Sequence, residues 1–269
     1  MKLKNKVIVV TGGGNGMGRE IVLVLLEKGC KVVALDINEK ALEATVKLAD
    51  SQVESLMTVI ADITNKEAIE RVAEQVLGRF GAIDGIINNA GIIQPFCRVN
   101  DLDFEVINRI FNINFFGSMN MIKVFLPHLL NRPEAHIVNV SSMGGFLPVT
   151  GQSVYGASKA ALKMLSEGLA AELSETQVSV TTVFPGAMAT NIKANSGLSS
   201  DARIEEDRKS KKDKMALPPA TAAQIIVTAI EKNKSRLYVG RDSKMLNMLY
   251  KFMPKVAVWL IYQMMKDKI

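Results

Sequence analysis

Cysteine and histidine are scarce in this chain of 269 residues, which contains two of each. Because Cys30 and Cys97 cannot form a disulfide framework, we expect a reducing, cytoplasmic setting. The two histidines, His128 and His136, stand apart from any cysteine cluster, so we predict no metal site. The chain also lacks a recognisable nucleic-acid-binding module, which argues against a nucleic-acid partner.

Long apolar runs are missing as well. The first apolar run, Val7–Val10, is short and continues into a glycine-rich turn, unlike the apolar region of a signal peptide. No uninterrupted stretch approaches the roughly 20 residues that a membrane span requires. The basic excess is concentrated towards the end, where residues 203–269 have 15 Lys and Arg against 7 Asp and Glu. Any charged partner is therefore expected in that quarter.

What the chain does contain is a regular alternation of strand-like and helix-like segments. The predicted strands are Lys6–Thr11, Lys31–Asp36, Leu56–Ala61, Ile83–Asn88, His136–Val140, Val178–Phe184 and Arg236–Val239. The predicted helices are Arg19–Lys28, Glu39–Leu48, Lys66–Leu77 ended by Gly78, Asp101–Leu130 with Asp101 as its cap, Val154–Leu173, and Pro219–Glu231.

This alternation predicts an α/β fold: a doubly wound, mostly parallel Rossmann-type sheet of about seven strands with helices on both faces. We expect residues 1–269 to form one domain, with an irregular, mobile insertion at 192–217. An extra, apolar helical segment is expected at 243–269.

A glycine-rich turn, Thr11–Gly18, joins the first strand to the first helix. Glycines permit close backbone approach, and the helix that follows offers free N–H groups to a pyrophosphate. The spacing differs from the general dinucleotide fingerprint, and an ordinary tight turn is the alternative. Asp36 favours the nucleotide reading, because it ends the second strand where a carboxylate accepts hydrogen bonds from an adenosine ribose. Neither Asn15 nor Ile37 is basic, so NAD is predicted rather than NADP.

A second group of residues suggests proton transfer. Tyr155 and Lys159 lie one helical turn apart and share a face, so the ammonium is expected to lower the pKa of the phenol. Ser142 lies where a strand ends, at the edge of the sheet that binds ligands, although Ser141 is an alternative and either serine could simply cap a turn. Asn114 lies inside a predicted helix, which suggests a kink, a bound water or a tolerated polar residue.

Together these motifs resemble those of classical short-chain dehydrogenases/reductases. The matching segments are Thr11–Gly18 (TGxxxGxG), Asn88–Gly91 (NNAG), Ser142 with Tyr155-x₃-Lys159, Asn114, and Pro185-Gly186 with Thr190 (PGxxxT). The resemblance implies a cofactor site formed by Thr11, Gly12, Asn15, Gly16, Met17, Gly18, Asp36, Ile37, Asp62, Ile63, Asn89, Ala90, Gly91, Tyr155, Lys159, Pro185, Gly186 and Thr190.

The resemblance also implies a mechanism. Tyr155 would be the general acid in reduction and the general base in oxidation, with Lys159 tuning it and bonding the nicotinamide ribose. Ser142 would orient the oxygen of an alcohol or carbonyl substrate, and Asn114 would hold a water in a proton relay. Residues 192–217 would form the substrate lid, and a homodimer or homotetramer is expected. An NAD-binding sensor without turnover is the alternative from another class.

The tail from Lys244 to Lys268 carries apolar residues nearly all round a helix. Such a helix is usually buried, against the body or a second subunit. The alternative is peripheral membrane contact, with the tail lysines near anionic lipid. In that case the enzyme would reduce or oxidise a lipophilic substrate of the 3-oxoacyl, retinoid or steroid type.

Overall fold

The structure is a computed structural model, and it describes residues 1–188, 192, 196 and 216–266. Its centre is a parallel sheet of seven strands in the order β3-β2-β1-β4-β5-β6-β7. The strands are β1 (Val7–Thr11), β2 (Lys31–Asp36), β3 (Leu56–Ile60), β4 (Gly85–Asn88), β5 (Ala135–Val140), β6 (Val178–Pro185) and β7 (Arg236–Val239). The predicted α/β fold is confirmed.

Helices connect these strands, and two more follow the last strand. They are α1 (Gly16–Glu27), α2 (Glu39–Ala49), α3 (Lys66–Phe80), α4 (Phe104–Phe111), α5 (Ser118–Leu130), α6 (Ser153–Glu172), α7 (Pro219–Glu231), α8 (Arg241–Phe252) and α9 (Pro254–Met265). Asparagine side chains begin several of them: the Oδ1 of Asn38 accepts from the N–H of Ala41, and that of Asn65 from Ala68. These caps satisfy N–H groups that the first helical turn leaves without partners.

The sheet is covered on both faces. Along β1, Ile8 and Val10 face one apolar core, whereas Val7 and Val9 face the other. All four side chains are buried, because successive residues of a strand point to opposite faces. This explains the continuous β-branched run that distinguishes a central parallel strand from a half-exposed one.

Two predicted helices differ from the observed ones. Gly78 does not end α3, which continues to Phe80 and ends at Gly81 in the left-handed conformation (φ 76°). The predicted helix Asp101–Leu130 is interrupted: α4 and α5 are separated by a π-helical segment, Asn112–Gly117, and Asp101 belongs to a short 3₁₀ turn before α4. Insertion of a π-helical turn commonly marks a functional region, and Asn114 lies within it.

The predicted extra helical segment at the end of the chain is confirmed. It folds as two helices, α8 and α9, because Pro254 cannot continue the first. The side chains of Leu246, Ala257 and Ile261 are buried and pack against Leu147. Most other large apolar side chains of the tail remain exposed within the part of the chain that the structure describes.

The predicted lid lies mostly outside the described residues, as does Thr190. Its described members contact the loops that line the candidate site described below. The Oγ of Ser196 accepts from the N–H of Ile93 (3.0 Å), and Leu217 donates to the carbonyl of Ala187 (3.1 Å).

Candidate active site

A cleft of about 540 Å³ opens at the carboxyl ends of the central strands. It lies where the chain leaves β1 for β2 on one side and returns to β4 on the other, and open parallel sheets bind ligands at such a point. Predicted site residues that line it are Gly12, Asn15, Gly16, Met17, Gly18, Asp36, Ile37, Asp62, Ile63, Asn89, Ala90, Gly91, Ser142, Tyr155, Lys159, Pro185 and Gly186. Thr11 and Asn114 are buried beneath this surface.

The glycine turn brings the start of α1 against the end of β1. A Cβ on Gly18 would collide with the carbonyl oxygen of Gly12 and the side chain of Asn89, so no larger residue fits. Asn15 caps α1 by accepting from the N–H of Gly16 (2.7 Å). The turn thus presents backbone at the mouth of the cleft, where the positive end of the helix dipole favours a phosphate.

Thr11 holds the turn to the neighbouring strand. Its Oγ1 accepts from the N–H groups of Asn89 and Ala90, each at 3.0 Å. The side chain of Asn89 returns a hydrogen bond to the carbonyl of Thr11 (2.9 Å). Asn88 points the other way and donates to the buried Asn139 (2.8 Å). Thr11 therefore positions the cleft wall from below rather than lining it.

Asp36 bounds one end of the cleft. Its two carboxylate oxygens accept from the N–H groups of Gly14 and Asn38, both at 3.0 Å. A Cβ on Gly14 would lie 2.8 Å from this carboxylate, so glycine permits the close approach. The guanidinium of Arg19 lies nearby, where it donates to the carbonyls of Gly14 and Ala41 and to the hydroxyl of Thr45. The guanidinium of Arg19 is thus hydrogen-bonded to the main chain of the protein itself.

Asp62 and Ile63 line the cleft in the loop after β3. Asp62 accepts from both the N–H and the hydroxyl of Thr64, each at 2.8 Å. The side chain of Asn120 donates to the carbonyl of Ile63 (3.0 Å). These bonds hold the loop in place.

Ser142, Tyr155 and Lys159 meet at the far end of the cleft. Tyr155 and Lys159 lie in the first two turns of α6, and Ser142 follows β5. The phenol is hydrogen-bonded to Ser142. Lys159 is 3% exposed, and its Nζ donates to the carbonyl of Val140 (2.9 Å). The predicted proton-transfer residues are therefore neighbours, although 17 positions separate Ser142 from Lys159 in the sequence.

The expected lowering of the tyrosine pKa by Lys159 is wrong in direction. Burial raises the pKa of Tyr155, and the hydrogen bond with Ser142 opposes this effect. Burial also lowers the pKa of Lys159 to about 8. The ammonium thus shares the low-dielectric environment that disfavours the phenolate, and proximity alone does not reverse the shift.

The structure distinguishes the two adjacent serines. Ser141 is buried, and its Oγ donates to the main-chain carbonyl of Lys159 (2.8 Å), which fixes α6 to the end of β5. The Oγ of Ser142 is turned to Tyr155 and also accepts from the N–H of Gly144 (3.1 Å). Of the two, Ser142 is the one whose hydroxyl is turned towards the phenol.

Asn114 lies behind the same end of the cleft. Its amide donates to the carbonyl of Ile92 and the hydroxyl of Ser158, and its oxygen accepts from the N–H of Ile92. A Cβ on Gly91 would lie 3.1 Å from both this oxygen and the Nζ of Lys159. Asn114 thus fixes the strand-end loop beside Lys159, and its role in holding a water stays a prediction.

Two supporting groups have no signal in the sequence. Gln94 is fully buried in a loop, and its side chain accepts from the N–H of Tyr155 (2.8 Å) while donating to the carbonyl of Gly151 (3.1 Å). It satisfies the first turn of α6 from 61 residues away. No periodicity marks such a residue.

The second group ties the tail to the Pro185-Gly186 turn. Asp242, in the first turn of α8, accepts from the N–H of Ala187 (2.6 Å). The hydroxyl of Ser243 donates to the carbonyl of Phe184 (2.8 Å). A Cβ on Gly186 would collide with the Asp242 carboxylate. The start of the tail therefore braces one wall of the cleft.

The seven-stranded parallel sheet and the cleft at its carboxyl end define a Rossmann-type, nucleotide-binding fold. A sequence family described as short chain dehydrogenase matches residues 6–200. The protein SadH of Mycobacterium tuberculosis is 34% identical over 253 residues, which cover 93% of this chain and 91% of that protein. The chain belongs to the short-chain dehydrogenase family.

Solved structures share the fold. A short chain dehydrogenase/reductase of Burkholderia phymatum in complex with NAD has a TM-score of 0.79 and 26% identity, and the match covers 88% of this chain and 90% of that one. A short chain dehydrogenase of Burkholderia cenocepacia in complex with NADP also has a TM-score of 0.79, at 24% identity, and the match covers 97% of this chain and 99% of that one. Relatives of this fold thus bind either nicotinamide cofactor.

Proposed function

We propose that this chain is an NAD(H)-dependent oxidoreductase that interconverts a secondary alcohol and a ketone. The observation that carries the proposal is the meeting of Ser142, Tyr155 and Lys159 in the same cleft as the glycine turn and Asp36. One end of the cleft thus offers groups for proton transfer, and another offers groups for a nucleotide.

The residues present fit a dinucleotide. The glycine turn exposes backbone where side chains would collide, and the start of α1 directs N–H groups there. When bound, NAD supplies the hydride acceptor in oxidation, and NADH supplies the donor in reduction. Pro185 and Gly186 would flank the nicotinamide, and Thr190 is proposed as a further contact.

The proposed preference for NAD depends on charge. The Asp36 carboxylate would accept hydrogen bonds from a ribose but would repel a 2′-phosphate. Arg19 is a nearby cation, and its Nε and Nη2 donate to Thr45 and to the carbonyls of Gly14 and Ala41. The proposed preference therefore rests on Asp36, which is closest to the expected position of the ribose.

The proposed proton route uses the chain's own residues. In alcohol oxidation the phenolate of Tyr155 takes the hydroxyl proton as the carbon gives up its hydride, and in reduction the phenol returns the proton. Ser142 donates a hydrogen bond to the substrate oxygen. Lys159 would favour the phenolate once its ammonium is directed from Val140 towards the site.

Replacing Tyr155 tests this function. A screen of secondary alcohols and ketones, followed by NADH absorbance, identifies a working substrate. With it, Tyr155→Phe should lower kcat by at least about 100-fold while NADH binding, followed by fluorescence, is kept. Tyr262→Phe, on the exposed face of α9, is the matched control and should keep its rate. Unchanged turnover in Tyr155→Phe would contradict the role, and a chain that binds NADH but turns over nothing would be a sensor.

The cofactor preference has a separate test. The wild type should show a higher kcat/KM with NAD than with NADP. Asp36→Asn keeps an acceptor for the N–H of Gly14 but removes the charge, so the NADP/NAD ratio of kcat/KM should rise by about tenfold or more. A wild-type preference for NADP would refute the assignment.

Three further proposals concern the whole chain. Residues 192–217 form a substrate lid, which the contacts of Ile192 and Ser196 beside the cleft support. The chain assembles as a homodimer or homotetramer, which sedimentation analysis tests. Its setting is cytoplasmic, and fractionation of cells tests whether part of it is held at a membrane. In the part of the chain that the structure describes, no helix is long and apolar enough to cross a bilayer.

A further inference from the structure

The two tail helices, α8 and α9, expose apolar side chains on one face each. On α8, Met245, Met248 and Phe252 follow each other at spacings of three and four residues and are 56–68% exposed. On α9, Trp259 and Tyr262 are 59% and 47% exposed. Residues at these spacings share a helix face, so each helix presents a continuous apolar surface. We call the exposed apolar side chains of α8 and α9 together the tail face.

The charge on the tail face has one sign. Between Ser243 and Lys266 the chain has four lysines and no acidic residue. Lys251 and Lys255 flank the break between the helices, and the Nζ of Lys251 lies 5.6 Å from the centre of the Phe252 ring. Lysine is depleted at protein interfaces, whereas helices that lie on anionic membranes typically carry exposed aromatic and aliphatic side chains together with lysines. The composition therefore favours lipid over a second copy of the chain.

The tail face also lies beside the candidate active site. The buried side of the tail packs on Leu147 and on Met143, the residue that follows Ser142. The start of α8 is bonded to the Pro185-Gly186 turn through Asp242 and Ser243. A bilayer that contacts the tail would therefore lie close to both walls of the catalytic end of the cleft.

We propose that the tail face docks the protein on an anionic phospholipid bilayer, from which the cleft takes a lipophilic alcohol or ketone. The substrate part of this proposal rests on the proposed oxidoreductase function. The apolar side chains enter the interface between headgroups and acyl chains, and the lysines extend to the lipid phosphates.

Trp259 provides the assay, because it is the only tryptophan of the chain. Vesicles of phosphatidylcholine with phosphatidylglycerol should shift its emission to shorter wavelength, and brominated acyl chains should quench it. Vesicles of phosphatidylcholine alone should bind much less, and added salt should weaken binding to the anionic vesicles. An emission spectrum unchanged by anionic vesicles would overturn the proposal.

Matched variants test the two components. Phe252→Glu should lower the vesicle partition coefficient by at least about tenfold, whereas Phe104→Glu, at an 83% exposed phenylalanine on α4, should not. The double variant Lys251→Glu, Lys255→Glu should also lower the partition coefficient by at least about tenfold. The control double variant Lys47→Glu, Lys123→Glu, at exposed sites of the body, should not. Equal losses in the controls would mean a non-specific surface effect and would refute docking through the tail face.

The outcomes separate docking from catalysis. Phe252→Glu should reduce turnover of a long-chain substrate in vesicles but leave turnover of a short, water-soluble alcohol unchanged. If the soluble alcohol is oxidised but vesicles do not change the emission of Trp259, only the docking proposal fails. If Trp259 responds and no alcohol or ketone reacts, the oxidoreductase proposal fails alone. The emission of Trp259 could instead shift to shorter wavelength as protein concentration rises without lipid, while sedimentation shows dimers forming over the same range. This result would assign the tail face to a second copy of the chain and overturn docking.

Discussion

Replacing Lys159 by methionine should stabilise the protein while abolishing its proposed activity. Lys159 is 3% exposed, and burial lowers its pKa from 10.5 to about 8. Its Nζ donates to the neutral carbonyl of Val140, and within the described residues no carboxylate forms an ion pair with it. A difference of 2.5 pKa units corresponds to about 3 kcal/mol at neutral pH.

The pH dependence gives this prediction its sign. In the unfolded chain the amine keeps its proton up to about pH 10.5, but in the folded protein only up to about pH 8. At pH 7 both states carry the charge, and folding bears the full cost of burying it. Between these pKa values the folded protein releases the proton first, so the cost falls to about 1 kcal/mol at pH 9.5.

Methionine has a similar length and no charge, but it leaves the Val140 carbonyl without its donor, which costs about 1 kcal/mol. Lys159→Met should therefore raise the free energy of unfolding by about 2 kcal/mol at pH 7 and by almost nothing at pH 9.5. Urea denaturation of the cofactor-free proteins at both pH values measures this. Lys123→Met, at an exposed position, is the control and should show no such change with pH. A variant less stable than the wild type at pH 7, or a difference independent of pH, would refute the reasoning.

Three other perturbations probe the scaffold. Gly18→Ala should abolish NADH binding, measured by fluorescence, because the added Cβ collides with Gly12 and Asn89. Gly78→Ala is the control, since Gly78 has open space around it. Retained binding in Gly18→Ala would argue against the turn as the phosphate site. Asp242→Ala should raise KM for NAD by about tenfold with a smaller change in kcat, because the N–H of Ala187 loses its acceptor. Asp242→Asn keeps an acceptor and should stay close to the wild type. Equal kinetics in the wild type and both variants would exclude a positioning role. Burial lowers the pKa of His136 from 6.5 to about 4, so the unfolded state gains a proton first as pH falls. The free energy of unfolding should therefore drop by about 2 kcal/mol between pH 7 and 4.5. Denaturation of His136→Gln over the same range should lack this drop.

The sequence by itself determined the order of the strands and helices along the chain and most residues of the cleft. Burial on both faces requires continuous apolar strands such as Val7–Thr11, and crossover helices require a 3.6-residue period, so both features are visible locally. The TGxxxGxG turn and the Tyr155-x₃-Lys159 spacing are also local, because steric limits and helix geometry act over a few residues.

Tertiary structure decided the rest, since it depends on residues distant in the chain. Apolar periodicity continues through Asn114, and the break there is accompanied by contacts with Ile92 and Ser158. The pKa of Tyr155 depends on burial, which a spacing to lysine does not reveal. The Asp242 contact with Ala187 joins positions 55 residues apart. Likewise, the tail pattern indicated an apolar helical segment, but only the packing against Leu147 decided which side is covered and which is exposed.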